Sequence, residues 1–426
     1  MPQDIERFNE WWFTQKVRSE LALPFHRYVF PRLEQSLSER QILLITGLRR
    51  VGKTTLLYQA IQRLLEKVRP SNILYFSFEE SSVRPKEVLE YFEKNVLRKP
   101  FEDAGRIYVF FDEVQYVDGW PSVVKQFYDL YPNLKFFVSG SSSLLLSLEA
   151  AEKLAGRFFL VEVKPMGFWE FLGLKGIQVT NAELFSRRLE LHLLDYLWKS
   201  GFPEIADWDN EVRVAEYIKN SVVDRIALRD IPLMFRTRDM TLMNNLIKLV
   251  LSTPGCLVNT NALSRTWGES KITISNYLRF LESSLLVRSL SNYKPSFLAS
   301  SRKLKKYYPA TPSLVFAYSK ENYEAKLGAI LESYVVNALD ARHYFREGRK
   351  EIDIIIKDGV TLPVEVKETV GDDDLKKFSE AIKYIKADKG VIVSLNQKFN
   401  KENINVVPAY TAESLVENSK QEENGV

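Results

Sequence analysis

Three groups of residues have types and spacing suited to chemistry. The first is Gly47-Leu48-Arg49-Arg50-Val51-Gly52-Lys53-Thr54, a phosphate-binding loop pattern set between the apolar run Ile42–Thr46 and the helical stretch Thr55–Leu65. The glycines let backbone N–H groups turn inward around phosphate oxygens, Lys53 adds a positive charge, Thr54 offers a Mg²⁺ ligand, and the helix N-terminus contributes its dipole. The pattern predicts ATP and Mg²⁺ as ligands, with Gly47, Arg50, Val51, Gly52, Lys53, Thr54 and Thr55 around the phosphates. A second apolar run, Arg106–Phe111, ends in Asp112-Glu113. Asp112 would hold Mg²⁺ through water, and Glu113 would polarise the attacking water, so the second acid points to hydrolysis rather than storage. The run Lys135–Ser139 leads into Gly140-Ser141-Ser142-Ser143. If that strand lies between the other two, Ser139 would stand beside Glu113 and the γ-phosphate. Arg157, in Leu154-Ala155-Gly156-Arg157, is the candidate phosphate sensor, or a finger acting on a neighbouring copy.

The second group is Asp353 followed by Glu365-Val366-Lys367, with Glu332 on a preceding helical stretch. Ile352, Ile354 and Ile356 alternate on one predicted strand, and Leu362, Val364 and Val366 on the next. A two-residue Asp358-Gly359 turn would send these two apolar rows to opposite faces. A three-residue Asp358-Gly359-Val360 loop pairs Lys357 with Thr361 and Ile354 with Val364, and so sets Asp353 opposite Glu365. Those carboxylates, completed by Glu332, would bind Mg²⁺ while Lys367 orients a water or stabilises a phosphorane. A solvated polar hairpin face is the other reading of the same residues.

The third group belongs to a helix, turn, helix, strand pattern: Met240–Ser252, a break at Thr253-Pro254-Gly255, Asn261–Trp267 capped by Thr260, a Gly268-Glu269 turn, Ser270–Ser284 and Leu285–Leu290. Lys271, Thr273, Asn276 and Arg279 would face DNA, with Ile272, Tyr277, Leu278 and Leu281 packed inward. Arg302, Lys303, Lys305 and Lys306 form the densest basic patch and would touch the backbone as a wing. A packing domain with a solvated basic face is the alternative.

The elements that must position these groups divide the chain. Runs at Ile42–Thr46, Ile73–Phe78, Ile107–Phe111, Lys135–Ser139 and Phe158–Val163 alternate with helical stretches, which predicts a mostly parallel α/β sheet over 1–165. Amphipathic stretches Leu189–Leu197 and Val212–Ile226 predict a helical subdomain at 166–237, the winged-helix pattern occupies 238–318, and a fresh α/β unit occupies 319–412. That unit contains Tyr323–Leu339, the two strands above, a helix near Leu375–Ile385 and a strand Gly390–Leu395, and 413–426 read as a frayed tail.

Composition agrees with several cores: 426 residues are 45% hydrophobic. Lys plus Arg number 59 against 55 Asp plus Glu, a formal charge of +4, so any basic surface is local. One cysteine and 3 histidines exclude an internal disulfide and a Cys/His zinc site. With no apolar run of membrane-spanning length, a cytoplasmic protein without membrane contact is expected.

The chain resembles a group of archaeal and bacterial P-loop ATPases related to the AAA+ class. The resemblance rests on Gly47–Thr54, Asp112-Glu113-Val114-Gln115 with Trp120 behind it, Ser139-Gly140-Ser141, Leu154–Arg157 and Pro165-Met166-Gly167-Phe168-Trp169-Glu170-Phe171. It implies an ATPase module, a winged helix and a restriction-endonuclease-like α/β module of the Asp…Glu-x-Lys type. The expected function is a Mg²⁺-dependent ATPase that binds DNA in its processing or repair, with self-association and protein partners left open. The alternative is a nucleotide-gated switch that docks protein partners and carries an inert nuclease-like domain.

Overall fold

The computed structural model describes residues 2–81, 83–141, 152–179, 184–235, 237, 239–293, 304–318, 323–358 and 360–415. It divides into two compact units, Met1–Met166 and Gly167–Val426.

In the first unit, β1 (Ile42–Gly47), β2 (Ile73–Ser77), β3 (Ile107–Asp112), β4 (Leu134–Ser139) and β5 (Phe158–Val163) pair in the order β2-β3-β4-β1-β5. Every neighbouring pair is parallel. A parallel sheet is covered on both faces, which is why β1 and β4 are buried at every residue and read as mostly apolar runs, with Lys135 the charged exception. Leu44, Phe76, Phe111 and Val138 join the main core of this unit. The edge strand β2 is covered by the N-terminal lead-in. Asn9 donates from Nδ2 to the Tyr75 carbonyl and accepts from the Tyr75 N–H, both at 2.7 Å, so one side chain imitates a neighbouring strand.

The second unit starts with helices Phe168–Leu174, Ser186–Lys199 and Glu211–Tyr217, and then Met240–Ser252. Its strands are β6 (Cys256–Val258), β7 (Val287–Asn292), β8 (Lys305–Pro309), β9 (His343–Glu347), β10 (Lys350–Asp358), β11 (Val360–Lys367), β12 (Gly390–Ser394), β13 (Phe399–Lys401) and β14 (Ile404–Pro408). They form one sheet in the order β13-β14-β12-β11-β10-β9-β7-β8-β6. The segments expected at 166–237, 238–318 and 319–412 therefore lie in one compact unit, and the last two share a sheet through the parallel pairing of β7 with β9.

Several local expectations need correction. Asn259 caps the helix Thr260–Trp267, its side chain accepting from the N–H groups of Asn261 and Ala262, so Thr260 is inside the helix. On the helix Lys271–Ser283 the buried stripe is Ile274, Tyr277, Leu278 and Leu281, while Ile272 is 75% exposed. The stripe follows i, i+3, i+4, i+7, and Ile272 sits off it. Glu413 is not frayed, because its carboxylate accepts the Phe168 N–H at 2.7 Å. No helix among the described residues is long and apolar enough to cross a membrane.

Candidate nucleotide site and a second carboxylate cluster

The C-terminal ends of β1, β3 and β4 meet at one edge of the parallel sheet, where ligands of such sheets bind. Gly47 has to be glycine: a Cβ there would stand 2.4 Å from the Val163 carbonyl oxygen of the paired strand β5. Arg50 and Gly52 both take left-handed backbone, with φ of 67° and 96°. This turns the loop back before the helix Lys53–Leu65 begins. Val51 is buried and Thr55 half-buried in the first turn of that helix. Lys53 is buried, and its ammonium donates to the carbonyls of Gly47 at 3.1 Å and Leu48 at 3.0 Å.

Asp112 ends β3 and is surrounded by hydroxyls. Thr54 Oγ1 donates to its Oδ2 at 2.7 Å, Tyr75 OH donates to the same oxygen at 2.9 Å, and Ser139 Oγ donates to Oδ1. The strand β4 does lie between β3 and β1, and it brings Ser139 to Asp112 Oδ1, the same oxygen that accepts the Glu113 N–H at 3.1 Å. Glu113 occupies left-handed backbone at φ 55°, a conformation that costs a non-glycine residue about 1 kcal/mol or more. Its carboxylate accepts from Gln115 Nε2, and Gln115 Oε1 in turn accepts the Ser141 N–H at 3.3 Å. Burial and the charge of Asp112 raise the Glu113 pKa above its ordinary 4.5, against the opposing pull of Lys53, Gln115 and Arg49. Ser142 and Ser143 lie outside the described residues.

The donors fit Mg²⁺ and a polyphosphate: a hydroxyl and a carboxylate already 2.7 Å apart, a buried ammonium and a glycine cradle. Two contributors are not singled out by the loop pattern. Arg27 is buried and donates to the carbonyls of Val51 at 2.7 Å and Lys164 at 2.8 Å, pinning the loop from the lead-in. Arg49 is ion-paired with Glu79 and donates to Tyr116 OH at 3.0 Å. Gln115 was visible in the sequence only as part of a motif. Arg27, twenty-odd residues from the loop, left no local signal.

Arg157 requires correction as a sensor in its own site. Its carbonyl accepts the Ile42 N–H, at the start of β1, whereas the phosphate loop leaves the strand's other end, about 17 Å away at ~3.3 Å per residue. The guanidinium instead pairs with Asp129 at 2.8 Å.

In the second unit, β10 and β11 have the register required by the alternation argument: Ile354 opposite Val364 and Lys357 opposite Thr361. Gly359 of the turn lies outside the described residues. Asp353 and Glu365 stand together. The Asp353 N–H donates to Glu365 Oε2 at 3.3 Å, the Val366 N–H donates to Asp353 Oδ2 at 2.9 Å, and Lys367 Nζ donates to Glu365 Oε1 at 2.7 Å. The strict isoleucine row fails, however. A bulge against β9 between Ile352 and Ile355 lets those two, three residues apart, bury in one cluster with Phe345, Phe378 and Ile392.

Glu332 also reaches this place, accepting from Tyr308 OH at 2.5 Å, but Lys306 arrives with it. The Lys306 ammonium lies 2.8 Å from Glu351, 3.4 Å from Glu332 and 3.7 Å from Asp353. Burial pulls the lysine's pKa down, and these carboxylates more than offset it, leaving the pKa above its ordinary value. Burial and Asp353 push Glu365 up to about 7 against the pull of Lys367. Burial and Asp353 raise Glu332 as well. Among the described residues no three Asp, Glu, His or Cys side chains converge as a metal-binding group. The set Glu332, Asp353 and Glu365 thus does not fit a magnesium ion in this arrangement, because ammonium groups stand among the oxygens.

The same contacts take Lys306 out of the expected basic patch, while the Lys305 side chain stays 44% exposed. In β8 alternate side chains face opposite ways, so Lys306 turns into the carboxylates, and Lys305 Nζ lies 3.4 Å from Glu282 and 3.2 Å from Ser289 Oγ. Arg302 and Lys303 lie outside the described residues. Lys271 and Arg279 are exposed, and Arg279 donates to Asn276 Oδ1 at 3.0 Å.

Residues 39–172 match a family described as an AAA domain, and residues 190–325 and 327–412 match two families described as domains of unknown function. An uncharacterized protein of Haemophilus influenzae is 30% identical over 258 residues, which span 59% of this chain and 62% of that protein. Two uncharacterized proteins of Methanocaldococcus jannaschii are 28% and 25% identical; the alignments cover 90% and 83% of this chain and 88% and 81% of theirs. Among solved structures, the Aeropyrum pernix Orc1 protein in complex with DNA aligns at 15% identity and TM-score 0.36, over 73% of this chain and 98% of that one. The S. cerevisiae Hsp104–ADP complex aligns at 16% and 0.32, over 62% and 40%. Scores this low establish no common fold. The family match, the parallel sheet and the loop with its paired acids agree on one conclusion: residues 39–172 are similar to AAA-type P-loop domains.

Proposed function

We propose that the chain is a Mg²⁺-dependent ATPase that works on duplex DNA held by the helix Lys271–Ser283. The observation that carries the first half is the contact of Thr54 with Asp112 at 2.7 Å beside a buried Lys53. The backbone of Gly47, Arg50, Val51, Gly52 and Thr55 would surround the phosphates, and Lys53 would exchange its loop carbonyls for phosphate oxygens. Thr54 and Asp112 would hold Mg²⁺, which supplies charge neutralisation when bound. Tyr75 and Ser139 fix the Asp112 carboxylate, and Gln115 holds Glu113 where it can accept a proton from water.

The DNA half is supported by the exposed Lys271 and Arg279 on the second helix of a tightly turned pair, with Asn276 oriented by Arg279. A second reading, a nucleotide-gated switch that docks protein partners, gains support from the engagement of Lys306 inside the fold and from the exposed Ile272. No cleavage step is assigned to the carboxylate cluster.

Duplex binding measured against salt separates the two. Lys271→Ala with Arg279→Ala should weaken binding and flatten the log–log salt slope by about 2, near one per lost phosphate contact. Equal slopes would remove this helix from DNA and favour the docking reading.

A further inference from the structure

Lys306 is placed by its backbone. In the strand register it sits opposite Leu257 of β6 on one side and Leu290 of β7 on the other, so β8 is a central strand and the side chain has little freedom of direction. The side chain is 7% exposed and its ammonium lies 5.5 Å from the centre of the Tyr344 ring. Tyr308, two residues on and therefore on the same face, gives its hydroxyl to Glu332. Glu351 Oε1 is 2.8 Å from Lys306, and its Oε2 is 3.5 Å from Arg346 Nε. Lys367 is bound to Glu365.

Among the described residues, the four carboxylates of Glu332, Glu351, Asp353 and Glu365 thus meet the three cations Lys306, Arg346 and Lys367. A divalent ion added to that set would reverse the sign of a half-buried cluster. It would also need carboxylate oxygens drawn in to about 2.0–2.6 Å, where the ammonium now keeps them apart. We propose that Lys306 is the resident cation of this cluster, standing in place of the divalent metal that the Asp353, Glu365-x-Lys367 pattern implies, and that the cluster binds no Mg²⁺ or Mn²⁺ while β8 is paired. The acids then serve as a tie between strand β8, the helix Tyr323–Ala338 and strand β10 instead of a hydrolytic centre.

The test is Mn²⁺ binding to the full chain, read from the paramagnetic resonance of bound ion and from thermal melting. Nucleotide is omitted and Thr54→Ala is present, which removes one of the two metal ligands proposed at the phosphate loop, and Asp353→Asn distinguishes any ion that remains there. The chain with Lys306 should show no saturable binding at millimolar Mn²⁺ and no rise in melting temperature. Lys306→Arg, which keeps the cation, should behave the same way. Lys306→Met should gain a Mn²⁺ site that Asp353→Asn removes, and its melting temperature should rise with the metal. Saturable binding by the Lys306 chain that Asp353→Asn abolishes would overturn the proposal, as would a folded Lys306→Met chain that takes up no Mn²⁺. Should Lys306→Met fail to fold, the Lys306 and Lys306→Arg chains decide between the same two outcomes.

Discussion

The end of the parallel sheet and the carboxylate cluster of the mixed sheet use the same residue types and leave them in opposite states. At the first, Asp112 is held by the neutral hydroxyls of Thr54, Tyr75 and Ser139, and the Lys53 ammonium rests on two backbone carbonyls. Cation and carboxylate are near each other without an ion pair, so each retains charge for a ligand. At the second, Lys306 and Lys367 already lie against Glu351, Glu332, Asp353 and Glu365. Acids and lysines in a cluster therefore say little about binding until their pairing is known. In this molecule the loop gives Lys53 and Asp112 separate neutral partners, and the cluster joins its lysines directly to its acids.

The largest effect that would break this contrast is at Lys53. Lys53→Ala should abolish measurable ATP binding while leaving the fold intact, since its ammonium rests on two loop carbonyls and holds no other element in place; calorimetric titration with ATP and Mg²⁺ checks it. Retained binding would mean that the lysine is not held for phosphate.

A smaller effect sharpens the role of Gln115. Glu113 must be ionised to accept a proton, and burial raises its pKa above 4.5, so turnover should fall with pH through a value above that of an ordinary carboxylate. The Gln115 amide stabilises the charged form, and Gln115→Ala should move the acid limb of the rate profile upward by about one unit. An unmoved limb would assign Gln115 to the Ser141 loop alone.

A third buried lysine gives the smallest prediction and the intermediate case. Lys135 has no exposed surface, donates to the Gln41 carbonyl, and is pushed down by burial to about 7, with Glu39 opposing. Between about 7 and the ordinary 10.5 the unfolded chain binds more protons than the folded one, so stability should rise with pH across that window. Below it both states are protonated and the penalty is complete. Lys135→Met should stabilise the protein near neutral pH and remove a slope of up to about 1.4 kcal/mol per pH unit from denaturation curves. An unchanged slope would show that the lysine finds a partner for its charge.

What could be read from the sequence was local or periodic. The five strands of the first unit announce themselves as apolar runs because a parallel sheet buries both faces. The phosphate loop and Asp112-Glu113 sit at strand ends where the chain itself turns, and the Ile354–Val364 register follows from a period of two across a short hairpin. What escaped depends on contacts remote in sequence. The end of the sheet on which Arg157 falls is set by the parallel direction of β5 against β1, and nothing near Lys306 signals that Glu332, Glu351 and Asp353 will surround it. The bulge between Ile352 and Ile355 and the joining of β7 to β9 were likewise invisible, because each is decided by a partner strand.

The ATP hydrolysis proposed for residues 39–172 depends on Glu113 as the proton acceptor. It is tested most directly by comparing Glu113→Gln with the unaltered protein, with ATP binding and single-turnover hydrolysis measured on the same samples. Binding should persist while hydrolysis slows at least about 10²-fold, the scale of a general base. Unchanged hydrolysis in Glu113→Gln would contradict it.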